Sequence, residues 1–267
     1  MKKILIYAFI FGVMLITFAA CNKHGSSLID TTWKDASKNF EYYKTENLDR
    51  YKSYKEKNPK MDISQVIIEV NIGLDNAFYT NTKKSTNINS NIVLVNKYNY
   101  LDKDYVPSNL VKVRGNITKM VDYAANAFNN MVDKAKSEGY TIIGVSGYRS
   151  YNYQNNLYNK YAKADGAEKA DTYSARAGYS EHQTGLAVDV SNAKTSYTNF
   201  ENTKEYIWMQ ENAHKYGFIM RYQKEKEYIT GYIYESWHYR YVGKEIAEYI
   251  KKHNITYDEY YAMFLDN

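Results

Sequence analysis

Three residues in the second half of the chain have the types and spacing for metal chemistry. In Ser180-Glu-His-Gln-Thr-Gly-Leu-Ala-Val-Asp189, His182 and Asp189 stand at the two ends of a short loop-to-strand segment. In Tyr234-Glu-Ser-Trp-His-Tyr-Arg-Tyr241, a second histidine, His238, follows Glu235 by three positions. Two imidazoles and one carboxylate form a three-ligand set for zinc that leaves a fourth position for water, as in catalytic rather than structural sites. Glu235 is then a candidate general base for that water. Asp189 lies between Val188 and Val190; a carboxylate buried in such a strand needs a cationic partner, because unpaired it is costly. On a regular strand a spacing of three puts Glu235 and His238 on opposite faces. Both reach one site only if the chain bends between them, or if Glu235 sits on the preceding turn. The other histidines have plainer roles: His24 in a tether, His214 at a helix end, His253 on an exposed terminal helix.

These residues need a scaffold. Asn116 is followed by apolar residues at helical spacing, from Ile117 through Met120, Val121, Ala124, Phe128, Met131, Val132 and Ala135, with Gly139 as the stop. Ser150 is placed to cap a helix running through Leu157 and Tyr161, and Thr256 with Glu259 to open a last one ending near Leu265. Further helices are expected over 40–58, from Asp62 (capped with Gln65) to Gly73, over 203–214 and over 244–252. Strands are expected over 91–96, 141–146, 186–190, 218–222, 228–234 and 237–242. Short links between the last three favour antiparallel neighbours. Helices early and strands late argue an α+β domain with a small antiparallel sheet and flanking helices.

The N-terminus reads as an export signal. Met1-Lys2-Lys3 precedes an apolar run from Ile4 to Ala20, and Ala19-Ala20 precede Cys21. This resembles a bacterial lipoprotein signal, with Cys21 the lipidated residue and the domain held outside the cytoplasm, facing the cell wall. Phe18 stands where such signals more often carry Leu, and an uncleaved membrane anchor is the alternative. Cys21 is the only cysteine, so neither a disulfide within the chain nor a Cys-rich zinc site is possible. The net charge of +5 falls to about +3 without Lys2 and Lys3, too mild to argue nucleic-acid binding. The expected organisation is a signal over 1–20, a tether over 21–38, a helical extension over 39–90 and the metal-bearing domain over 91–267.

Three motifs, Ser146-Gly-Tyr-Arg-Ser150, the 180–189 segment and Glu235-Ser-Trp-His-Tyr-Arg-Tyr-Val-Gly243, occur in order with every ligand present. Together they resemble the VanY-type zinc carboxypeptidases, the D-alanyl-D-alanine and L,D-carboxypeptidases of peptidoglycan metabolism. Leu94-Val-Asn-Lys97, Tyr105-Val-Pro107 and the segment from Asn212 to Phe218 add to the likeness, which covers roughly residues 50–250. The resemblance implies a Hedgehog/D,D-peptidase-like zinc peptidase fold, zinc on His182, Asp189 and His238, and Glu235 as base. It further implies that Arg149 binds substrate or the developing oxyanion, with Gln154 and Ser180 near the substrate, a peptidoglycan stem peptide. Ser236 departs from the many members that carry Pro there.

Three other functions stay open on sequence alone. A cross-bridge endopeptidase would use the same chemistry at a different bond. A non-catalytic wall-binding module would keep the fold without turnover, against which stand the intact ligands and Glu235. A serine D,D-peptidase would use Ser191-Asn-Ala-Lys194, but its Lys-Thr-Gly partner motif is missing.

Overall fold

The computed structural model describes residues 31–114 and 118–266. The signal, Cys21, His24 and the first part of the expected tether lie outside the described residues. The chain forms two compact units, one reaching Asn71 and the other running from Ile72.

Among the described residues, the first unit has three helices: α1 (residues 31–39), α2 (Leu48–Lys57) and α3 (Ile63–Ile72). The stretch expected to be tether up to Lys38 is therefore helical from residue 31. Trp33 and Ala36, three apart, put one face of α1 into a core with Tyr51, Val66, Ile67 and Val70. Trp33 stacks on Tyr51 at 5.8 Å. The helix expected over 40–58 begins only at Leu48, after a single 3-10 turn. Asp62 does cap α3, but its Oδ1 accepts from Ser64 N, and Gln65 turns instead to Glu69.

The second unit follows in the order β1 (Lys83–Lys84), β2 (Asn99–Tyr100), β3 (Leu110–Lys112), β4 (Lys119–Val121), α4 (Asp122–Ser137), β5 (Ile143–Ser146), α5 (Tyr151–Asp165), α6 (Ala167–Asp171), β6 (Ala187–Ser191), α7 (Lys204–Asn212), β7 (Phe218–Met220), α8 (Glu227–Thr230), β8 (His238–Tyr241), α9 (Lys244–His253) and α10 (Tyr257–Phe264). Four strands make the central sheet, ordered β5-β6-β8-β7 with every pairing antiparallel. This is the expected α+β architecture. Among the described residues no helix is long and apolar enough to cross a membrane.

One face of the sheet packs on α4. Val188, Val190, Phe218 and Tyr239 meet Ala124, Phe128, Met131 and Ala135 in the main core. Phe128 lies edge-on to Phe218, with centroids 6.0 Å apart. A second cluster joins Ile219 and Val242 to Ala247 and Ile250 of α9 and Tyr257 and Tyr261 of α10. The expected capping box opens α10: Thr256 Oγ1 accepts from Glu259 N while Glu259 accepts from Thr256 N.

Three expected elements differ. Met120 and Val121 belong to strand β4, paired with β3, and α4 starts at Asp122. The 91–96 run is buried but joins no ladder; the Arg240 guanidinium donates to the carbonyls of Asn91 and Val93, and Ser85 Oγ to that of Leu94. Side chains thus do the work of a partner strand. The 228–234 run holds α8 and a turn at Gly231 (φ +72°) instead of a strand.

Candidate metal centre

Strand register brings the first two ligands together. Asp189 on β6 lies directly opposite His238 on β8, and directly opposed residues share a face. His182 comes from the 3-10 turn Glu181–Thr184 before β6, closed by Gly185 in the left-handed region (φ +70°). His182 Nδ1 donates to the carbonyl of Gly147 at 2.7 Å, which leaves Nε2 bare and aimed at the site. Gly147 is required there: a Cβ on it would lie 2.2 Å from the Lys119 carbonyl oxygen. Side-chain bulk would therefore push away the backbone that holds His182.

Ligand atoms of His182, Asp189 and His238 lie within 4.8 Å of one another, and all three residues are buried. Asp189 Oδ1 is 3.4 Å from His182 Nε2 and 3.2 Å from His238 Nδ1. Tetrahedral zinc with bonds of about 2.0–2.1 Å holds its donors roughly 3.3–3.4 Å apart, so the donor spacing suits that ion. His182 Nε2 and Asp189 Oδ1 are also shut from solvent without a hydrogen-bond partner, a state that a cation would relieve.

The electrostatics agree. Burial alone would raise the Asp189 carboxyl and lower the His238 imidazole. The histidines outweigh burial and hold Asp189 well below the usual carboxylate range. The Asp189 and Glu181 carboxylates likewise push His238 up to about 9. His182 goes the other way, to about 4, through burial and the neighbouring Arg149. Asp189 is therefore held ionised beside a His182 held neutral, the forms in which each can donate to a cation.

Glu235 lies 3.6 Å from His238 Nδ1 through Oε2 and stands outside the ligand cluster. The bend that the spacing demanded is present: Glu235 precedes a turn in which His238 N donates to Glu235 O, while Glu235 N donates to Tyr222 O. Burial pushes the Glu235 carboxyl up to about 8. Ser236 is buried in that turn, its hydroxyl without a partner. Arg149 follows β5; its Nη1 is 3.5 Å from Asp189 Oδ2 and 3.3 Å from Ser146 Oγ. These groups face a cavity of about 300 Å³ whose wall includes Tyr161, Tyr197, Trp237, Gln154 and Ser180. Gln154 donates to the Ala175 carbonyl at 2.8 Å, and its own carbonyl oxygen is buried without a partner.

Sequence reasoning left two features of the site without a role. One is the Gly147 carbonyl. The other is Glu181, whose neighbours Arg221, just after β7, and Arg240, on β8, are 40 and 59 residues away. The available signal was an arginine between Tyr239 and Tyr241, the same pattern that marked Asp189 between two valines.

Residues 117–244 match the family model described as VanY, D-alanyl-D-alanine carboxypeptidase. YodJ of Bacillus subtilis (strain 168) is 42% identical over 181 residues, 64% of this chain and 66% of YodJ, so the chain spans about two thirds of that relative. The solved structure of the LdcB LD-carboxypeptidase is 39% identical with a TM-score of 0.64, over 69% of this chain and 91% of LdcB. A vancomycin-resistance D,D-pentapeptidase VanY, a mutant solved with Zn(II), is 32% identical with a TM-score of 0.56, over 64% of this chain and 98% of that one.

Proposed function

The chain belongs to the VanY family of D-alanyl-D-alanine carboxypeptidases, and we propose that it is a zinc-dependent carboxypeptidase that removes the C-terminal D-alanine from peptidoglycan stem peptides. The observation that carries this is the His182–Asp189–His238 cluster, with donors 3.2 and 3.4 Å apart, beside a buried Glu235 that stands outside it.

Zinc held by these three residues supplies Lewis acidity to the scissile carbonyl and to a water. The remaining work falls to the chain. Glu235 accepts the proton of the attacking water on a carboxylate oxygen and passes it to the leaving amine nitrogen. Burial raises its carboxyl from the usual carboxylate range toward neutrality, where a proton carrier is most effective. Arg149 has its guanidinium beside the cluster and one face toward the cavity, so it can meet charge growing on the carbonyl oxygen or hold the substrate's terminal carboxylate. Gln154 offers a buried, unpartnered carbonyl oxygen as an acceptor for a peptide N–H.

Identity is higher to the LD-carboxypeptidase than to the D,D-pentapeptidase, 39% against 32%, which supports L,D specificity. Mass spectrometry of defined tetra- and pentapeptide stems, and of a cross-linked pair of stems, tests the reading. The expected result is loss of one D-alanine, faster from the tetrapeptide. Cleavage of a cross-bridge with no free D-alanine would instead mean an endopeptidase.

The same reading places the domain outside the cytoplasm on a lipid anchor. It is supported by the basic start, the apolar run and Ala19-Ala20-Cys21. Cys21→Ala should then abolish lipid labelling and membrane retention. Labelling that persists would overturn the anchor.

A further inference from the structure

Behind His238 lies a buried group of charges that the chemistry above does not use. Glu181, Arg221 and Arg240 have side chains 1% exposed or less. Glu181 Oε1 accepts from Arg221 Nε at 2.8 Å and from Arg240 Nη1 at 2.9 Å. Arg221 Nη1 also donates to Asp258 Oδ2 at 2.6 Å, and Asp258 Oδ1 accepts from Asn96 Nδ2 at 2.8 Å. Two guanidiniums thus face two carboxylates, a balance that a buried ion group requires. The other Glu181 oxygen, Oε2, points away from the arginines and lies 3.4 Å from His238 Nε2.

A neutral imidazole carries one ring proton, and a metal can bind only at the bare nitrogen. We propose that Glu181 is a positioning residue for zinc: pinned by Arg221 and Arg240, it accepts the Nε2–H of His238 and thereby leaves Nδ1 bare toward Asp189. The inference rests on the zinc reading of the site. The two histidines are then set by different acceptors, His182 by a backbone carbonyl and His238 by a carboxylate. Only the second can be removed by a side-chain change.

Glu181→Gln tests this sharply, because an amide has one acceptor oxygen. Both guanidiniums require that oxygen, so the NH2 group faces His238 Nε2. An NH2 there forces the His238 proton onto Nδ1, where it blocks the metal. The experiment uses the full chain. Zinc affinity is measured by chelator competition, and the His238 tautomer by nitrogen NMR of the metal-free protein above about pH 9, where the imidazole carries a single ring proton. The expected result is a parent with Nε2 protonated and Nδ1 bare, and a folded Glu181→Gln variant with the opposite tautomer and about ten- to a hundredfold weaker zinc binding. A purely structural role for Glu181 would lower the melting temperature without moving the tautomer. A variant within about twofold of the parent in zinc affinity overturns the proposal. So does a parent with Nδ1 protonated, a reading that stands even if the variant does not fold. A parent that binds no zinc at all removes the zinc reading itself.

Discussion

On β6, Val188 and Val190 point to one face of the sheet and Asp189 to the other. On β8, Tyr239 and Tyr241 alternate in the same way with His238 and Arg240. The first face meets α4 mainly by apolar packing, with Phe128 lodged against Phe218 and near Val188. The second face carries Asp189, His238 and Arg240, whose polar groups meet specific partners. The difference is one of specification. Apolar packing depends on volume and area, so several side chains can satisfy it. A buried polar face fails if one partner is wrong. The α4 face therefore stabilises the sheet, while the opposite face fixes atoms relative to one another.

Substitutions on the two faces should separate these roles, and the largest effect is expected at Glu235. Glu235→Ala should lower kcat by about 10²–10⁴-fold, with one zinc still bound and the melting temperature nearly unchanged. Loss of stoichiometric zinc in a folded variant would make Glu235 a ligand. On the α4 face, Phe128→Ala should cost about 3–5 kcal/mol of stability and leave zinc affinity as it was. A fall in zinc affinity in the folded variant would show that the faces are not independent. Arg149→Ala should reduce kcat/KM on the order of a hundredfold. The loss appears in kcat if Arg149 meets the oxyanion and in KM if it holds the terminal carboxylate, and Lys should rescue poorly because it lacks the planar fork. Near-parent kcat/KM would reduce Arg149 to a structural partner of Asp189.

The smallest effect is a pH dependence. His238 in the metal-free chain is pushed up to about 9, from an ordinary 6.5, and zinc must displace that proton. Zinc affinity should therefore fall about tenfold per pH unit below about 9 and level off above it. The same shift acts on stability with a definite sign. The folded value exceeds the unfolded one, so this group's contribution is complete below about 6.5 and is lost as pH rises through about 9. The metal-free chain should accordingly melt lower at pH 9 than at 6.5. A zinc affinity that is flat between pH 6 and 9 would mean that His238 carries no such proton.

Much of the site was legible in the sequence because its chemistry is carried by rare residues in unusual company. Asp189 between two valines, and His238 after Glu235, need no structure to be noticed. Caps were legible for a related reason: Ser150 and Thr256 each donate no more than a local signal, and local signals survive folding. The 91–96 run was read as a strand because burial and β-branching look the same whether the backbone partner is a ladder or an arginine side chain. The 228–234 run has apolar and aromatic residues at strand spacing, yet Gly231 and the tight contacts around it close a turn. Glu181 stayed silent because its meaning lies in Arg221, Arg240 and His238, all at least 40 residues away. α1 looked like a tether because one tryptophan and one alanine are too few to set a period, although they suffice to bury a short helix.

The most direct test of the zinc assignment is a titration of chelator-stripped protein with zinc, following D-alanine release from a stem peptide beside zinc content. Activity should be absent at the start and complete at one zinc per chain, and Asp189→Ala should neither bind that equivalent nor turn over. Activity in the stripped protein, or an Asp189→Ala chain that still holds one zinc and releases D-alanine, would contradict the account.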